Sequence, residues 1–260
     1  MAKVIAIINQ KGGVGKTTTA VNLSALLGAM GQRVLMIDLD PQGNTTSGLG
    51  MEVDDKSIYE VIMGRMKLTD VMEETEFKNL FIAGSDVRLA NAELELVEVE
   101  KREYRLKTAV QSVQQDFDFI FIDCPPSLGL LTINALGAAD SVLIPIQCEY
   151  YALEGVASLM NTISRVKKTI NLHLEIEGVL LTMLDGRTNL GLQVVDEVKK
   201  HFKKQVYATV IPRSVRLGEA PSHGEPIHVY DKRSAGCVAY VNLAKEVLKR
   251  NNIKVKEFKL

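Results

Sequence analysis

Short apolar runs alternate along this chain with longer segments in which apolar residues recur at helical spacing. The runs lack the apolar–polar alternation of a half-exposed strand, and they occur at residues 4–8, 34–37, 119–122, 142–144, 179–181 and 206–211. Continuous apolar runs of this length are typical of strands covered on both faces, as in a parallel sheet. The chain is therefore expected to carry a buried, mostly parallel sheet.

Helical spacing follows most of these runs. The first such segment begins at Thr17 and stops at Gly31, and further helices are expected near 88–115, 130–138, 151–170, 190–204 and 235–250. Strands that alternate with helices over the whole length predict an α/β fold, doubly wound, with a mostly parallel sheet and helices on both faces. The sequence contains no repeat and no Pro/Ser-rich linker, so residues 1–260 are expected to form a single domain.

Composition narrows the class of protein without indicating a partner. The 260 residues are 46% apolar, and 31 Lys+Arg stand against 32 Asp+Glu for a net charge of −1. These values exclude a collagen-like, disulfide-dense or disordered chain and a globally basic nucleic-acid binder. The sum conceals two uneven segments. Residues 52–76 hold eight acids and three bases, whereas 187–216 hold seven bases and two acids, a local sum of +5.

The cysteines and the start of the chain indicate the compartment. Cys124, Cys148 and Cys237 are far apart and form no Cys-x-x-Cys pair, which counts against zinc, iron–sulfur and disulfide frameworks. The apolar start spans only one strand's length before polar residues interrupt it, unlike a signal peptide, and no stretch approaches the ~20 apolar residues that cross a bilayer. A cytoplasmic protein is expected.

A segment rich in glycine and lysine joins the first strand to the first helix. It reads Asn-Gln-Lys-Gly-Gly-Val-Gly-Lys-Thr-Thr-Thr over residues 9–19, close to a phosphate-binding loop but with Gln10 at the first glycine position. Its glycines allow several backbone N–H groups to face one anion, and the helix N-terminus adds partial positive charge. Lys16 would reach the β- and γ-phosphates and the Thr17 hydroxyl would ligate Mg²⁺, so ATP and Mg²⁺ are the expected cofactors.

Acidic residues follow two of the predicted strands. Asp38 and Asp40 come after the second run, and Asp123 ends the third. Ligands bind doubly wound sheets outside the carboxyl ends of the strands. Asp123 is therefore expected to lie near Mg²⁺ as in a Walker B strand, while Asp40, which Pro41 places beyond the strand, would orient or deprotonate the attacking water. Asp38 is either part of the site or only an acid of the turn that ends the strand.

These motifs resemble those of the ParA/Soj chromosome-partitioning ATPases, which are P-loop NTPases of the deviant Walker A type and relatives of MinD. The resemblance covers nearly the whole chain and rests on five blocks, at residues 11–19, 38–50, 123–135, 145–155 and 211–223. In that family a second lysine in the loop, here Lys11, reaches across a dimer interface to the partner's nucleotide.

The resemblance also implies a set of site residues. Lys11, Lys16 and Asp40 would be catalytic, and Thr17 and Asp123 would hold the metal. The nucleotide would contact the loop and, on the adenine side, the segment after the last strand: Lys11, Gly12, Gly13, Val14, Gly15, Lys16, Thr17, Thr18, Pro212 and Ser214.

The function implied is an ATP-dependent switch for chromosome or plasmid partitioning. A homodimer with ATP would bind double-stranded DNA without sequence preference and so associate with the nucleoid, and a ParB-like centromere-binding protein would stimulate hydrolysis and release the subunits. The family's DNA contacts fall on Arg187 and Arg216, and Lys199 and Lys203 of the same basic segment are further expected DNA contacts. Relatives also control the replication initiator, a partner that no residue of this chain indicates. Stable membrane association is not expected.

Two other classes of P-loop protein stay open. A MinD-like membrane-associated positioning ATPase needs a basic amphipathic C-terminal helix. The tail 248–260 is basic, but its apolar residues form no helical stripe, and Asn251-Asn252 suggests that the helix stops. A metabolic P-loop ATPase would not require Lys11 to act on a partner's nucleotide, so an Asp40→Ala protein that stays monomeric with ATP would favour it.

Overall fold

A computed structural model of the chain describes residues 1–153, 155–255 and 258. Within these residues eight strands form one sheet in the order β3-β4-β2-β5-β1-β6-β7-β8, and every pair is parallel except β3 with β4. The strands are β1 (Lys3–Ile7), β2 (Val34–Asp38), β3 (Met72–Glu74), β4 (Leu80–Ala83), β5 (Phe119–Asp123), β6 (Ser141–Gln147), β7 (Glu175–Leu184) and β8 (Val206–Pro212).

Helices connect the strands. The longer ones are α1 (Lys16–Ala29), α6 (Arg105–Gln111), α7 (Leu130–Ala138), α8 (Val156–Thr169), α9 (Asn189–Phe202) and α12 (Ala235–Arg250). The shorter ones are α2 (Asn44–Gly48), α3 (Ile58–Ile62), α4 (Leu68–Val71), α5 (Ala92–Glu95), α10 (Val215–Glu219) and α11 (Ile227–Tyr230).

Successive residues of the central strands supply two hydrophobic cores, one on each face of the sheet. Ile5 and Ile7 of β1 face the core covered by α1 and α12, while Val4 and Ala6 face the core covered by α6, α7, α8 and α9. Because both faces are covered, the strands read as continuous apolar runs. The predicted α/β fold, doubly wound with a mostly parallel sheet and helices on both faces, is confirmed.

The predicted helix 88–115 is wrong. The segment is broken into a 3₁₀ turn at Val87–Asn91, α5, a second 3₁₀ turn at Arg102–Tyr104, and α6. Lys101 has a φ of 54°, a left-handed conformation that an α-helix does not contain. Glu93 is held by a contact elsewhere in the fold, since its carboxylate accepts a hydrogen bond from the N–H of Leu131 at the start of α7.

Two other expectations about elements are corrected. The predicted helix 151–170 begins only at Val156, because Gly155 before it has a φ of 78°. Glu154 lies outside the described residues. Strands β3 and β4, which extend the sheet beyond β2, were not among the predicted strands. The remaining predicted strands and helices are found within a few residues of their expected bounds.

The described residues of the C-terminal tail pack on the protein. Helix α12 ends at Arg250, and Asn252 has a φ of 57°, so the helix stops where Asn251-Asn252 predicts. Ile253, Val255 and Phe258 pack against the core beneath α1 and α12. Among the described residues, no helix is both long and apolar enough to span a bilayer.

Three neighbouring strands bring the candidate residues together. Strand β5 lies between β1 and β2, and Asp38 and Asp123 are register partners at the ends of β2 and β5. The glycine-rich loop leaves the carboxyl end of β1 at the same edge. The segments that carry the predicted phosphate, metal and water contacts therefore share one edge of the sheet.

Candidate nucleotide site

The glycine-rich loop forms a turn whose outer face is open. Gly13 and Gly15 have φ values of 71° and 89°, in the left-handed region that favours glycine. A Cβ built on Gly12 or Gly13 would meet no other atom within 4 Å. Helix α1 begins directly after Gly15 with no acidic residue in its first turn, so its first N–H groups are available to an anion.

Lys16 lies folded into the same turn. It is 7% exposed, and its Nζ donates to the backbone oxygen of Lys11 at 3.3 Å. Burial lowers the pKa of Lys16, and the carboxylates of Asp123 and Asp40 act in the opposite direction. Its ammonium group thus lies close enough to both acids to interact with them, at the position where phosphate charge would enter.

Asp123 has an incomplete set of hydrogen bonds. Its Oδ2 accepts from the hydroxyls of Thr17 at 2.7 Å and Thr45 at 2.8 Å, while its buried Oδ1 has no hydrogen-bond partner in the described structure. Burial, and next the charge of Asp38, raise the pKa of Asp123 to about 7. A buried carboxylate oxygen without a partner is costly, and a cation would satisfy it.

These donors fit Mg²⁺. In proteins Mg²⁺ is commonly held by one or two carboxylates together with waters and substrate phosphates, rather than by a complete cage of side chains. The described residues contain no group of three or more His, Cys, Asp or Glu side chains that could hold a metal. Thr17 and Asp123, beside the open phosphate loop, supply the hydroxyl and carboxylate that Mg²⁺ bound to a nucleotide requires.

The two acids at the end of β2, Asp38 and Asp40, make different contacts. Asp38 ends the strand and is fully buried, and its carboxylate accepts from Thr46 N–H, Thr46 Oγ1 and Asp40 N–H. Asp38 therefore holds the turn, and its charge also acts on Asp123 at the same edge of the sheet. Asp40 lies beyond the strand, as expected from Pro41. It is 8% exposed, and its Oδ1 accepts from Gln42 N–H at 3.0 Å.

Thr45 and Thr46 also belong to this site, although the sequence did not predict them. They occupy the first turn of α2, where both are buried, and each donates its hydroxyl to a different strand-end acid. Their only signal in the sequence is a polar Asn-Thr-Thr-Ser run after the acidic turn. Thr45 and Asp123 are 78 positions apart in the chain, so local sequence does not indicate that they are in contact.

The predicted adenine-side residues line a cavity next to the loop. Its volume is about 230 Å³, and Thr18, Pro212 and Ser214 are among its walls. Ser214 precedes α10, but its side chain makes no capping hydrogen bond, so the hydroxyl is available to a ligand. A larger cavity of about 580 Å³ lies between α3 and α6 and contains none of the predicted site residues. The chemistry at the strand ends, rather than cavity size, locates the site.

The basic segment 187–216 does not form one surface. Arg187 follows β7 and Arg216 follows β8, so both lie at the edge that carries the phosphate loop. Helix α9 runs back between these strands, which puts Lys199 about 15 Å along the helix from its start. Lys199 and Lys203 are exposed, and the path of the chain from the end of β7 to the start of β8 places them toward the opposite edge. The structure thus separates the four predicted DNA contacts into two pairs.

The arginines at the nucleotide edge are paired with acids that the local charge sum left out. The side chains of Arg187 and Arg216 are 89% and 56% exposed. The pairs are Arg187–Asp185 at 2.7 Å, Arg213–Glu149 at 2.9 Å and Arg216–Glu219 at 2.9 Å. The value of +5 therefore overstates the free positive charge, although exposed pairs of this kind are weak and exchange partners readily.

Lys11 lies on the outer side of the loop. Its backbone N–H donates to Asn9 Oδ1 at 3.0 Å, which fixes the start of the turn. Within the described part of the chain its ammonium group makes no ion pair or hydrogen bond.

Cys124 follows Asp123 and is fully buried. Burial raises the pKa of its thiol far above the ordinary range. The thiolate is the reactive form of cysteine, so Cys124 is inert as expected.

Solved structures share this fold. The chain superposes on cobyrinic acid a,c-diamide synthase from Mycobacterium smegmatis with bound ADP and magnesium at a TM-score of 0.86 and 37% identity, covering 97% of this chain and 96% of the other. It superposes on MinD from Pyrococcus horikoshii complexed with Mg-ADP at a TM-score of 0.80 and 28% identity, covering 95% and 96%. Both structures contain ADP and magnesium on a fold that extends over nearly all of this chain.

Sequence comparison resolves the family more finely. A family model described as an AAA domain matches residues 2–176. The sporulation initiation inhibitor protein Soj of Bacillus subtilis is 59% identical over 249 residues, which cover 95% of this chain and 98% of Soj. The chromosome partitioning protein ParA of Myxococcus xanthus is 50% identical over 256 residues, covering 98% and 90%. With the phosphate loop, Asp40 and Asp123 at one sheet edge, these identities establish that the chain belongs to the ParA/Soj family of chromosome-partitioning P-loop ATPases.

Proposed function

We propose that the chain is an ATP-dependent dimerisation switch that binds DNA without sequence preference and hydrolyses ATP. The observation that carries the proposal is the arrangement at the carboxyl edge of β1, β2 and β5. There an open phosphate loop, the buried ammonium of Lys16 and the unpartnered Oδ1 of Asp123 lie beside Asp40. The ammonium of Lys11, free within its own described chain, accounts for the need of a second subunit.

Each residue has a distinct role in hydrolysis. The N–H groups of the loop and of the first turn of α1 bind the phosphates, and the ammonium of Lys16 offsets charge on the β- and γ-phosphates. Thr17 and Asp123 would hold Mg²⁺, which would supply positive charge to the phosphate oxygens when bound. Asp40 accepts a hydrogen bond from the attacking water and orients it toward the γ-phosphate. The adenine base would occupy the cavity walled by Pro212 and Ser214.

Dimerisation supplies the missing cation. Lys11 of one subunit reaches the nucleotide of the other, in the manner of an arginine finger, and stabilises charge that develops during transfer. Gly12 lies beside it with open space around its Cβ position, so a partner's loop can approach closely. Hydrolysis is then slow in the monomer and depends on two subunits meeting.

DNA binding follows from the dimer. Two subunits that meet at their nucleotide edges form a dimer with two copies of Arg187 and Arg216. The dimer therefore makes twice as many contacts with DNA phosphates as one subunit does. Each neutralised phosphate contributes a slope of about −0.9 to the dependence of log affinity on log salt, so DNA binding would be steep in both salt and ATP. The weak pairs with Asp185 and Glu219 are exchanged for DNA phosphates.

The biological role is chromosome or plasmid partitioning. The Myxococcus relative is a chromosome partitioning protein, and this chain covers 90% of its length. A ParB-like centromere-binding protein would stimulate hydrolysis, separate the subunits and release them from the nucleoid.

A DNA-binding measurement in ATP and in ADP tests this proposal. Biolayer interferometry on a random-sequence duplex should give strong binding with ATP and Mg²⁺ that is lost with ADP and in the Arg187→Ala, Arg216→Ala double variant. The matched control is Lys199→Ala with Lys203→Ala, which removes two exposed lysines at the opposite edge and should bind as the wild type does. Equal binding with ADP and ATP would contradict the switch.

A metabolic P-loop ATPase is the second candidate, because the Mycobacterium smegmatis chain described as a cobyrinic acid a,c-diamide synthase is 37% identical. Such an enzyme needs neither DNA nor a lysine acting between subunits. ATP turnover that is unaffected by Lys11→Ala and by DNA would favour it. The MinD-like membrane alternative has less support, since Ile253, Val255 and Phe258 of the tail pack against the core. Co-sedimentation with anionic vesicles in ATP would favour the membrane class.

A further inference from the structure

Thr45 and Thr46 fasten α2 to two neighbouring strand ends. Thr46 Oγ1 donates to Asp38 at 2.7 Å and accepts from Ser85 N–H at 3.0 Å. Thr45 Oγ1 donates to Asp123 at 2.8 Å. Both threonines are buried, and the two acids are register partners on β2 and β5. Adjacent residues of one short helix therefore contact two different carboxylates.

The two acids that accept from Thr45 and Thr46 differ in their other hydrogen bonds. Asp38 makes its side-chain hydrogen bonds with the turn itself, through Thr46 and Asp40. Asp123 instead shares its Oδ2 between Thr45 and Thr17, and its Oδ1 lacks a partner within the described structure. Thr46 thus closes the turn on itself, whereas Thr45 ties the turn to the carboxylate that fits Mg²⁺.

The segment that carries Asp40 is continuous with Thr45. Gly43 N–H donates to the backbone oxygen of Asp40 at 2.9 Å, and Ser47 N–H donates to Gly43 at 3.0 Å. Gln42 N–H donates to the Asp40 carboxylate at 3.0 Å. Backbone hydrogen bonds thus link Asp40 to the first turn of α2, the turn that carries Thr45.

We propose that Thr45 is a positioning residue that couples occupancy of the Mg²⁺ site to the placement of Asp40. The inference rests on the proposed role of Asp40. Hydroxyls and amides bonded to a metal-holding carboxylate orient it, and by linkage the group that orients a ligand is held more firmly when the metal is bound. Thr45 thereby joins the metal carboxylate to the segment that presents the water-orienting acid.

A purely structural role makes a different prediction. If Thr45 only satisfies a buried acceptor, Thr45→Val destabilises the segment to the same extent with and without Mg²⁺. If Thr45 couples the Mg²⁺ site to Asp40, Mg²⁺ no longer stabilises the segment that carries Asp40 in Thr45→Val, while the nucleotide still binds. Valine retains the shape of threonine and removes the hydroxyl, and Thr45→Ser restores the hydroxyl.

Hydrogen exchange by mass spectrometry tests the coupling on the full chain. Residues 40–48 are followed with ADP alone and with ADP and Mg²⁺, and calorimetry on the same samples measures binding. In the wild type we expect Mg²⁺ to slow amide exchange of this segment about fivefold, the effect of one hydrogen bond. Thr45→Ser should show the same slowing, and Thr45→Val should not. The matched control is Ser47→Ala, which removes an exposed hydroxyl of the same helix that bonds only to backbone oxygens and should respond as the wild type does.

Steady-state kinetics give a second readout. Thr45→Val should lower kcat about tenfold or more with KM for ATP little changed, because it displaces the group that meets the transition state rather than those that bind phosphate. The coupling would be overturned if, with ADP and Mg²⁺ bound, Mg²⁺ left the exchange protection of residues 40–48 unchanged in the wild type. It would also be overturned if Thr45→Val gained as much protection as the wild type. Failure of ADP and Mg²⁺ to bind the wild type would instead contradict the proposed function itself.

Discussion

Asp38 should make the stability of the nucleotide-free protein depend on pH. Burial raises the pKa of Asp38 to about 6, although hydrogen bonds from Thr46 and Asp40 act in the opposite direction. The ordinary value is 3.8. The folded chain therefore binds more protons than the unfolded chain between these values. The protonated Asp38 carboxyl therefore stabilises the folded chain in full below pH 4, and this contribution is lost as the pH rises through 6. A shift of about two pKa units corresponds to about 3 kcal/mol in the free energy of unfolding.

Urea unfolding of the wild type and of Asp38→Asn, from pH 4 to pH 8 in EDTA, measures this dependence. The asparagine oxygen can still accept from Thr46, and the main loss is the 3.2 Å bond from Asp40 N–H. Between pH 4 and pH 7 the variant should gain about 2 kcal/mol relative to the wild type, because the unfolded chain already titrates in part at pH 4. His228, whose pKa burial lowers to about 4, contributes a slope of the opposite sign that is common to both proteins and cancels.

A difference between the two proteins that stays constant from pH 4 to pH 8 would refute the reasoning. It would mean that Asp38 titrates at the same pH in the folded and unfolded chain, and that burial does not disfavour its charge. Asp123 reinforces the expected effect, because the charge of Asp38 is the second cause of its raised pKa.

The remaining predictions concern the nucleotide, the interface and DNA. Lys16→Ala removes the buried ammonium of the phosphate loop, so calorimetry should detect no binding of ADP and Mg²⁺. Gly12→Val places a side chain in open space within the chain, so ATP binding should persist while light scattering detects no dimer. A retained dimer would count against an interface at this loop. Arg187→Ala should make the salt dependence of DNA binding shallower, by about 0.9 in slope for each DNA phosphate that the arginine neutralises in the wild type. An unchanged slope would remove Arg187 from the DNA surface.

The nucleotide site could be predicted wherever residues that act together are adjacent in the sequence. The loop from Lys11 to Thr18 is one continuous segment between a strand and a helix, so its chemistry is visible in the order of residues. Asp123 could be placed at the sheet edge because the apolar run before it marks a buried strand.

Contacts between distant segments could not be predicted in this way. The bond from Thr45 to Asp123 depends on β5 lying between β1 and β2, which is a property of strand order and not of local pattern. The basic segment 187–216 shows the converse, that residues close in sequence can be distant in the fold. Its residues are close in sequence, but α9 carries Lys199 and Lys203 away from the two arginines. The predicted helix is broken at Lys101, whose backbone is left-handed, and Glu93 of this segment bonds to Leu131 of a distant helix, a contact that local pattern does not reveal.

Size-exclusion chromatography with light scattering of Asp40→Ala tests the central claim most directly. The variant lacks the carboxylate that orients water but keeps the phosphate loop, Lys16, Thr17 and Asp123, so it should bind ATP without hydrolysing it. We expect a mass of twice the 28.7 kDa chain with ATP and Mg²⁺, a single chain with ADP, and co-elution of the dimer with duplex DNA. A monomer in ATP, with nucleotide binding confirmed on the same sample, would contradict the dimerisation switch.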